Sequence, residues 1–383
     1  MAKRRPNGSG SITRRADGTY EARTYVTTTE GLRKRVSAYG KTYDEADEKL
    51  SKLKEQESKG VPTPDKAWTV ADFLNYWLEQ VIRPNLRFNT TSKYEIMIRL
   101  YLIPRLGKKK LVKLSVKDIR VFLAQLRHDE VGDSTRQECM KVLRNALNAA
   151  MREELLLRNV AVLVGIPSAE SKEIIPWSAE EAIGFLRSAR PHRLYAAFVL
   201  ALVLGLRRGE LLGLRWIDLD IGQGVAHPRK QVQRKTGVGL VHVDLKTDSS
   251  KAALPLPLLC VEALGERRRL QELERARAGM DWSELDLVFS TETGGLLDPD
   301  HFSQTFQRRV KRSKLRRVRL HDTRHTCGSL LAWLGVHPSD AQKILRHSQI
   351  TTTLEIYTHV TTETQRAAAA KVSAKLRDGL NGR

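Results

Sequence analysis

The apolar positions of residues 68–82 recur at three- and four-residue steps. Val70, Phe73 and Trp77 begin a series that continues to Ile82. This spacing places the apolar side chains on one face of an amphipathic helix. Thr69, directly before the series, is suited to cap the start of that helix.

Three more helices are predicted downstream of this one. They cover residues 90–103, 115–127 and 134–154. Ser115 is the predicted N-cap of the second, and Ser134 with Gln137 forms a predicted capping box at the start of the third. Residues 65–170 are therefore predicted to form an all-helical domain.

Residues 11–40 have a different pattern, with short polar and β-prone segments in alternation. Asp17-Gly18 lies between two of them and is typical of a hairpin turn. A helical pattern follows from Thr42 and is expected to pack across the resulting small sheet. A Gly- and Pro-rich stretch then marks a linker, so the predicted first domain spans residues 1–64.

The rest of the chain, residues 171–383, is predicted to be mainly helical with a small antiparallel sheet. Ser178 and Glu181 form a capping box at its first helix. Short β-prone segments separated by turns occupy residues 225–257. The predicted fold class is α+β multidomain: a three-stranded sheet with a helix, an all-helical domain, and this mainly helical domain.

The middle strand of the predicted small sheet alternates apolar and polar residues. Val241, Val243 and Leu245 are expected inside, with His242 on the opposite face. Lys246 follows and is expected at the exposed end of a hairpin.

Charge narrows the class of partner. The 66 Lys and Arg residues exceed the 44 Asp and Glu residues, which leaves a net charge of +22 and a pI near 10.0. Residues 310–319 hold six cationic side chains, and residues 1–41 hold ten against three acidic ones. A nucleic acid is the natural partner of such a chain, although either run alone also fits a solvated charged face.

The cysteines and the apolar runs argue against a disulfide-rich protein, a cysteine zinc protein and a membrane-spanning protein. Cys139, Cys260 and Cys327 are odd in number and widely spaced, which argues against a disulfide framework and a cysteine zinc site. The apolar run at 194–206 is shorter than the about 20 residues of a membrane span. No signal segment follows the basic N-terminus, so the expected location is cytoplasmic, on DNA.

Two cationic side chains lie at positions that suggest a catalytic or binding role. Arg207, in the stretch GLRRGELLGLRW, lies at the junction of an apolar helix and an amphipathic one. The alternative is that Arg207 is a structural ion-pair partner of Glu210. Lys246 is the second cation, and its alternative is a solvated hairpin lysine.

The stretch HDTRH places His321, Arg324 and His325 within one helical turn. Histidines four residues apart invite a zinc interpretation. A metalloprotease helix, however, has Glu directly after its first His, and Asp322 stands there instead. A zinc site is therefore the weaker alternative.

The stretch LRHSQITTTLEIYTH follows, with His347 ten residues before Tyr357. Tyr357 is either a packing residue or a nucleophile. Four motifs occur in succession along the chain: Gly-Leu-Arg-x-x-Glu-Leu, a hairpin Lys, His-x-x-Arg-His, and a His followed by Tyr-Thr-His. Their order bears on whether Tyr357 is a packing residue or a nucleophile.

In this combination the chain resembles the tyrosine recombinase family, and within it the integrases of phages and integrative elements. The resemblance covers nearly the whole chain. It implies an arm-type DNA-binding domain at 1–64, a core-binding domain at 65–170 and a catalytic domain at 171–383. It also implies six catalytic residues: Arg207, Lys246, His321, Arg324, His347 and Tyr357.

The implied reaction is cleavage and rejoining of DNA through a 3′-phosphotyrosine intermediate, which integrates and helps to excise a mobile element. Two arginines suit the charge that develops on the phosphate. A phenol with a pKa of about 10 needs a base, for which His321 is the candidate, while His347 would donate to the phosphate. Lys246 would protonate the departing 5′ oxygen.

Neither a cofactor nor a metal is expected. Gly40-Lys41-Thr42 ends like a P-loop, but Arg35 stands where the first Gly of that motif is required. The phosphotyrosine bond would conserve the energy of the broken phosphodiester, and the arginines would replace a metal ion.

One position departs from the family pattern. Leu345-Arg346-His347 stands where the family usually has Leu-Gly-His. Glycine suits a left-handed turn at a helix end, and arginine fits it poorly. The placement of His347 is thus the least secured of the six, and the alternative for Arg346 is that it faces a phosphate.

The resemblance also implies partners: double-stranded DNA with core and arm attachment sites, a homotetramer on that DNA, an excisionase and a host DNA-bending protein. A type IB topoisomerase would use similar chemistry, although the helical domain and the N-terminal sheet fit an integrase better. A catalytically silent DNA-binding regulator is the other alternative, and it leaves Tyr357 and the paired arginines unexplained.

Overall fold

A computed structural model of the chain describes residues 10–28, 32–58, 68–166, 175–245 and 248–358, with a few helical residues between 370 and 377. The chain divides into two compact units, Met1–Ser171 and Lys172–Arg383. The division into three domains remains a prediction, and its first boundary lies among residues 59–67, outside the described residues.

The first unit begins with a three-stranded antiparallel sheet and a helix. The strands are β1 (Ser11–Arg14), β2 (Tyr20–Thr27) and β3 (Arg33–Gly40), in the order β1-β2-β3, and the helix is α1 (Tyr43–Ser58). Ala22 of the central strand packs with Ala46 and Leu50 of α1 in a small apolar core. The predicted turn at Asp17-Gly18 joins β1 to β2, so this part of the fold prediction is confirmed.

The face of the sheet opposite this core carries cations and aromatic rings. Tyr25 pairs with Arg35 across the β2–β3 ladder, and both side chains are exposed. Arg33 lies over the ring of Tyr25, 5.3 Å from its centroid. Tyr39 is exposed on the same face and accepts Arg15 over its ring.

The rest of the first unit is helical. The helices are α2 (Val70–Tyr76), α3 (Arg83–Asn85), α4 (Phe88–Met97), α5 (Ile103–Leu106), α6 (Val116–His128) and α7 (Asp133–Arg152), with π-helical turns at Trp77–Ile82 and Ile98–Leu102 and 3₁₀ turns at Leu111–Lys113 and Val160–Leu163. Their apolar faces form a separate core around Phe73, Phe122 and Leu143.

The caps of these helices agree with the sequence at two points and differ at a third. Thr69 and Ser115 each form a capping box at the start of α2 and α6. The box predicted for Ser134 is wrong, because α7 begins at Asp133 with Gly132 as its N-cap and no side-chain cap. Ser134 therefore lies inside the first helical turn.

The second unit is mainly helical. Its helices are α8 (Ala179–Ala189), α9 (Tyr195–Val203), α10 (Arg208–Leu212), α11 (Asp248–Lys251), α12 (Leu258–Ala278), α13 (Pro299–Arg312), α14 (Asp322–Trp333), α15 (Pro338–Leu345) and α16 (Ile350–Thr358). A capping box of Ser178 and Glu181 starts α8, as predicted. The apolar α9 is buried along most of its length, in a core with Phe185, Phe302 and Phe306.

Two small sheets lie between α10 and α12. One contains β4 (Leu219–Asp220), β5 (Val225–Ala226) and β8 (Leu254–Pro255), and the other contains β6 (Lys230–Lys235) and β7 (Gly239–Asp244). The fold class predicted from the sequence is confirmed by this arrangement.

The face assignment of β7 was wrong for Val241 and His242, whereas Leu245 is buried as expected. His242 pairs with the buried Val232 of β6, and its Nε2 lies 2.9 Å from the Gly213 carbonyl oxygen. Val241 is only half-buried. The register of the two strands brings His242 toward α10, and this choice between two amphipathic faces cannot be read from alternation alone.

Among the described residues, no helix has both the length and the apolar character to cross a membrane.

Candidate active site

Gly205 creates the junction that carries Arg207. Its φ of +58° lies in the left-handed region, and a Cβ there would come within 2.7 Å of the Leu345 side chain. Only glycine meets both demands. The chain therefore leaves α9 sharply, and Arg207 stands as the N-cap residue of α10.

The guanidinium of Arg207 is held on three sides. Its Nη1 donates to Glu210 Oε1 at 2.9 Å and to Ser250 Oγ at 3.3 Å, and its Nη2 donates to the Arg346 carbonyl oxygen at 3.4 Å. The side chain is nevertheless 39% exposed. The ion pair with Glu210 thus exists, and it leaves Arg207 accessible from the solvent side.

Glu210 is shared by two arginines. It is buried, and its second oxygen, Oε2, accepts from Arg346 Nη2. Arg346 Nη1 donates to the Ser250 carbonyl oxygen. The alternative that Arg346 faces a phosphate is contradicted by its buried side chain, whose guanidinium is directed at Glu210.

The backbone of Arg346 adopts the left-handed conformation that glycine would favour. Its φ of 54° and ψ of 46° are left-handed, and it ends α15. This conformation costs a non-glycine residue roughly 1 kcal/mol. Burial also lowers the pKa of its guanidinium, which the carboxylate of Glu210 partly offsets.

Arg324 lies at the centre of the site and is buried. Its guanidinium donates from Nη1 to the Gly205 carbonyl oxygen at 2.6 Å and from Nη2 to the Leu345 carbonyl oxygen. Burial, and then the charge of Arg207, lower the pKa of Arg324 to about 9. Among the described residues, the side-chain hydrogen bonds of Arg324 go to two carbonyl oxygens and the His347 ring, and none goes to a carboxylate.

His347 contacts Arg324 directly. Its Nε2 lies 3.2 Å from Arg324 Nε, which can only donate. The ring proton is therefore assigned to Nδ1, which lies 2.9 Å from Thr353 Oγ1. Burial and the charge of Arg324 lower the pKa of His347 to about 4, so the ring is neutral in this arrangement.

His321 is exposed at the start of α14, the helix that carries Arg324. Its ring and that of His325 are 5.8 Å apart, edge to face. Desolvation of the ring by the surrounding protein, and then the neighbouring His325, lower the pKa of His321. Asp322 is bound to Arg319, and the described part of the chain contains no cluster of three or more His, Cys, Asp and Glu residues suited to a metal ion.

Tyr357 lies on α16 and is half-buried. Its hydroxyl donates to the Val336 carbonyl oxygen at 2.9 Å. Burial raises the pKa of this phenol, with smaller contributions from Cys327 and Asp340. The hydroxyl is thus protonated and engaged with the chain between α14 and α15.

The structure therefore brings Arg207, Arg324 and His347 together and directs the Tyr357 hydroxyl to a backbone carbonyl. Lys246 lies outside the described residues. Sequence reasoning missed two partners, Ser250 and Thr353. Thr353 could have been noticed, because it lies one helical turn before Tyr357.

Comparisons with known proteins bear on the family. Residues 178–364 match the phage integrase family, and residues 69–127 match the phage integrase N-terminal SAM-like domain. The chain belongs to the phage integrase family. It is a tyrosine recombinase of the integrase type, an enzyme of DNA recombination, and the resemblance found in its motifs is confirmed.

Two relatives show how much of the chain is similar to known proteins of this kind. An integrase of Saccharopolyspora erythraea is 25% identical, with 91% of this chain and 92% of the relative covered. A XerC-like tyrosine recombinase of Caldanaerobacter subterraneus subsp. tengcongensis is 28% identical, with 84% and 87% covered. The similarity thus extends beyond the second unit.

Solved structures share the integrase fold. The Tn1549 transposon integrase in complex with transposon right end DNA matches with a TM-score of 0.69 and 22% identity, over 80% of this chain and 99% of that one. A lambda integrase tetramer bound to a Holliday junction matches with a TM-score of 0.53 and 18% identity, over 92% and 96%.

The neutral His347 of this integrase makes its stability depend on pH. Because the folded-state pKa, about 4, lies below the unfolded value of about 6.5, the unfolded chain binds more protons between these values. The free energy of unfolding should therefore fall by up to roughly 3 kcal/mol from pH 7 to pH 4 through this residue.

Urea denaturation of the wild type and of His347→Gln at pH 7 and pH 4.5 checks this expectation. The variant lacks the titrating ring, so its loss of stability on acidification should be smaller. Equal losses in the two proteins would contradict it, because the other histidines titrate in both.

Proposed function

We propose that this protein is a site-specific integrase that cleaves and rejoins DNA through a 3′-phosphotyrosine intermediate, to integrate a mobile element and to help excise it. The observation that carries the proposal is the buried Arg324 beside the partly exposed Arg207. Arg207 and Arg346 both pair with Glu210, which is the only acidic partner described for these two arginines. In the proposed complex a phosphate diester binds this group of cations.

In the proposed reaction the Tyr357 oxygen attacks the scissile phosphorus. A Tyr–phosphate bond forms while the bond from phosphorus to the 5′ oxygen breaks. His321 takes the phenolic proton, and Lys246 gives a proton to the departing oxygen. Rejoining reverses these transfers, so no nucleotide is consumed.

Tyr357 must leave the Val336 carbonyl before it attacks. In the described arrangement its pKa is raised and its hydrogen bond is satisfied. DNA binding is the proposed trigger, because the cations that favour a phenolate act only on a hydroxyl brought close to them.

His347 has a matching change of state. Its Nε2 accepts from Arg324 in the described arrangement, and it can donate to a phosphate only after taking a proton there. An entering anion raises the pKa of a nearby imidazole. The proposed donation by His347 is therefore coupled to phosphate binding.

Covalent trapping tests the proposal. On a suicide substrate with a nick beside the scissile phosphate, the leaving strand diffuses away and the protein should remain attached to DNA. Peptide mapping of the adduct should identify Tyr357. DNA binding without an adduct would favour the silent regulator, and relaxation of supercoils without strand exchange would favour the topoisomerase.

The reaction should also be independent of metal ions and ATP. The arginines are proposed to supply the charge that a metal ion would otherwise supply. Adduct formation should therefore proceed at the same rate in EDTA as in buffer with magnesium. A loss of activity in EDTA that zinc restores would instead support a metal site at His321 and His325.

The N-terminal sheet is proposed to read arm-type sites, and residues 65–170 to bind core sites. The open face of the sheet supports the first part, since exposed Arg33 and Arg35 flank the exposed ring of Tyr25. A homotetramer on DNA is proposed by analogy with the lambda integrase tetramer on a Holliday junction. An excisionase and a host bending protein remain expectations from the resemblance.

Replacing Arg33 and Arg35 by Ala together should weaken binding to arm-type DNA. Each lost phosphate contact should reduce the slope of log affinity against log salt by ~0.9. Core-site cleavage should be unchanged. Lys52→Ala is the control, because Lys52 is an exposed cation of α1 paired with Glu48, and an unchanged slope in the double variant would assign the sheet another role.

A further inference from the structure

Arg346 is connected to every side-chain partner that the structure describes for Arg207. Its carbonyl oxygen accepts from Arg207 Nη2, its Nη1 holds the Ser250 backbone, and its Nη2 holds the second oxygen of Glu210. The Arg346 side chain itself has no exposed surface. It therefore acts on the accessible Arg207 without meeting a substrate.

The sharing of Glu210 has a chemical consequence. In the structure each guanidinium takes one carboxylate oxygen: that of Arg207 takes Oε1, and that of Arg346 takes Oε2, which also accepts from the Arg207 backbone N–H at 3.2 Å. When both oxygens of a carboxylate can bind one arginine, the two groups form a bidentate pair, which is their strongest geometry. Without Arg346, Glu210 would turn toward Arg207 and occupy two of its guanidinium donors.

We propose that Arg346 is a positioning residue that keeps Glu210 from taking a second guanidinium donor of Arg207, so that this guanidinium stays available to the scissile phosphate. The proposal rests on the proposed function, since it concerns the same phosphate. It assigns a role to an arginine at the position where glycine would relieve the left-handed turn.

The substitution Arg346→Gly separates this role from a role in the turn. Glycine adopts the left-handed conformation freely, so a residue needed only for the turn would be replaced without loss. If Arg346 positions Arg207, the variant should form the covalent adduct about 100-fold more slowly, the scale of a misplaced catalytic group. Affinity for core DNA should be unchanged, and Arg346→Lys, which keeps a cation, should recover part of the rate.

Arg267→Met is the matched control. Arg267 is equally buried in the same unit, and it also pairs with one glutamate, Glu274. Its loss should lower the melting temperature without slowing adduct formation at temperatures where the protein is folded. If Arg346→Gly and Arg267→Met slow the reaction alike, or if Arg346→Gly does not slow it, the proposal is overturned.

A double variant tests the route through Glu210. The neutral amide of Glu210→Gln cannot form the ionic bidentate pair with Arg207. The combination of Glu210→Gln with Arg346→Gly should therefore be no slower than Glu210→Gln alone. Independent, multiplicative losses would show that Arg346 does not act through this carboxylate.

A measurement without DNA distinguishes the two proposals. The side-chain Nε–H NMR signal of Arg207, assigned by its loss in Arg207→Lys, should shift in Arg346→Gly and stay in place in Arg267→Met. If the wild type forms no adduct, the proposed function fails, while this signal still decides the positioning role. An unmoved Arg207 signal would overturn that role whatever the activity.

Discussion

Tyr357→Phe should bind core DNA as tightly as the wild type and form no covalent adduct on the suicide substrate. The change removes only the hydroxyl oxygen, which is the proposed nucleophile. The expected loss is complete, in contrast to the partial losses of charge-stabilising residues.

The hydroxyl of Tyr357 also donates to the Val336 carbonyl, so a modest change in stability is expected, since a typical hydrogen bond contributes about 1 kcal/mol. Thermal unfolding measures that change separately from the chemistry. Tyr195→Phe makes the same chemical change in the same unit, at a half-buried tyrosine beneath Arg190, and should retain full activity. An adduct formed by Tyr357→Phe would sink the assignment of the nucleophile.

Arg324→Ala and Arg207→Ala should bind DNA and cleave it about 10²–10³-fold more slowly, the cost of removing one group that stabilises transition-state charge. Single-turnover adduct formation and a separate binding assay give the two quantities. For Arg324 a loss of folding stability is also expected, since it ties the Gly205 and Leu345 carbonyls together.

Arg207 has a control in the same unit. Arg208 follows Arg207 directly and has nearly the same side-chain exposure, 41% against 39%, but it binds α13 through Pro299, Asp300 and Ser303. Arg208→Ala should keep the wild-type rate. Equal losses of binding and cleavage in Arg207→Ala would instead indicate that this arginine has a structural role.

Much of the fold follows from local signals. The three- and four-residue spacing from Val70 to Ile82 predicted a helix there, and Thr69, Ser115 and Ser178 cap helices where expected. These signals act within a few residues, so the sequence contains all that is needed to read them. The start of α7 was mispredicted because its N-cap is Gly132, which has no side chain with which to form a capping box.

The candidate site residues came from the family resemblance, which rests on the order of their motifs along the sequence. A charged residue at the end of an apolar helix, such as Arg207, is unusual, and this is visible in the sequence alone. What spacing could not show is the state of each group: the neutral ring of His347, the hydrogen bond of Tyr357 to Val336, and the direction of Arg346.

By itself, then, the sequence determined the main helices, most of the caps predicted for them and the fold class, and it supplied the motifs of the candidate site, since each depends on neighbours along the chain or on residue type. Only the tertiary structure decided that His242 of β7 faces α10, and that Arg346 points inward to share Glu210 with Arg207. Glu210 and Arg346 are 136 residues apart, and their meeting depends on how α10 and α15 pack in three dimensions, which no local pattern specifies.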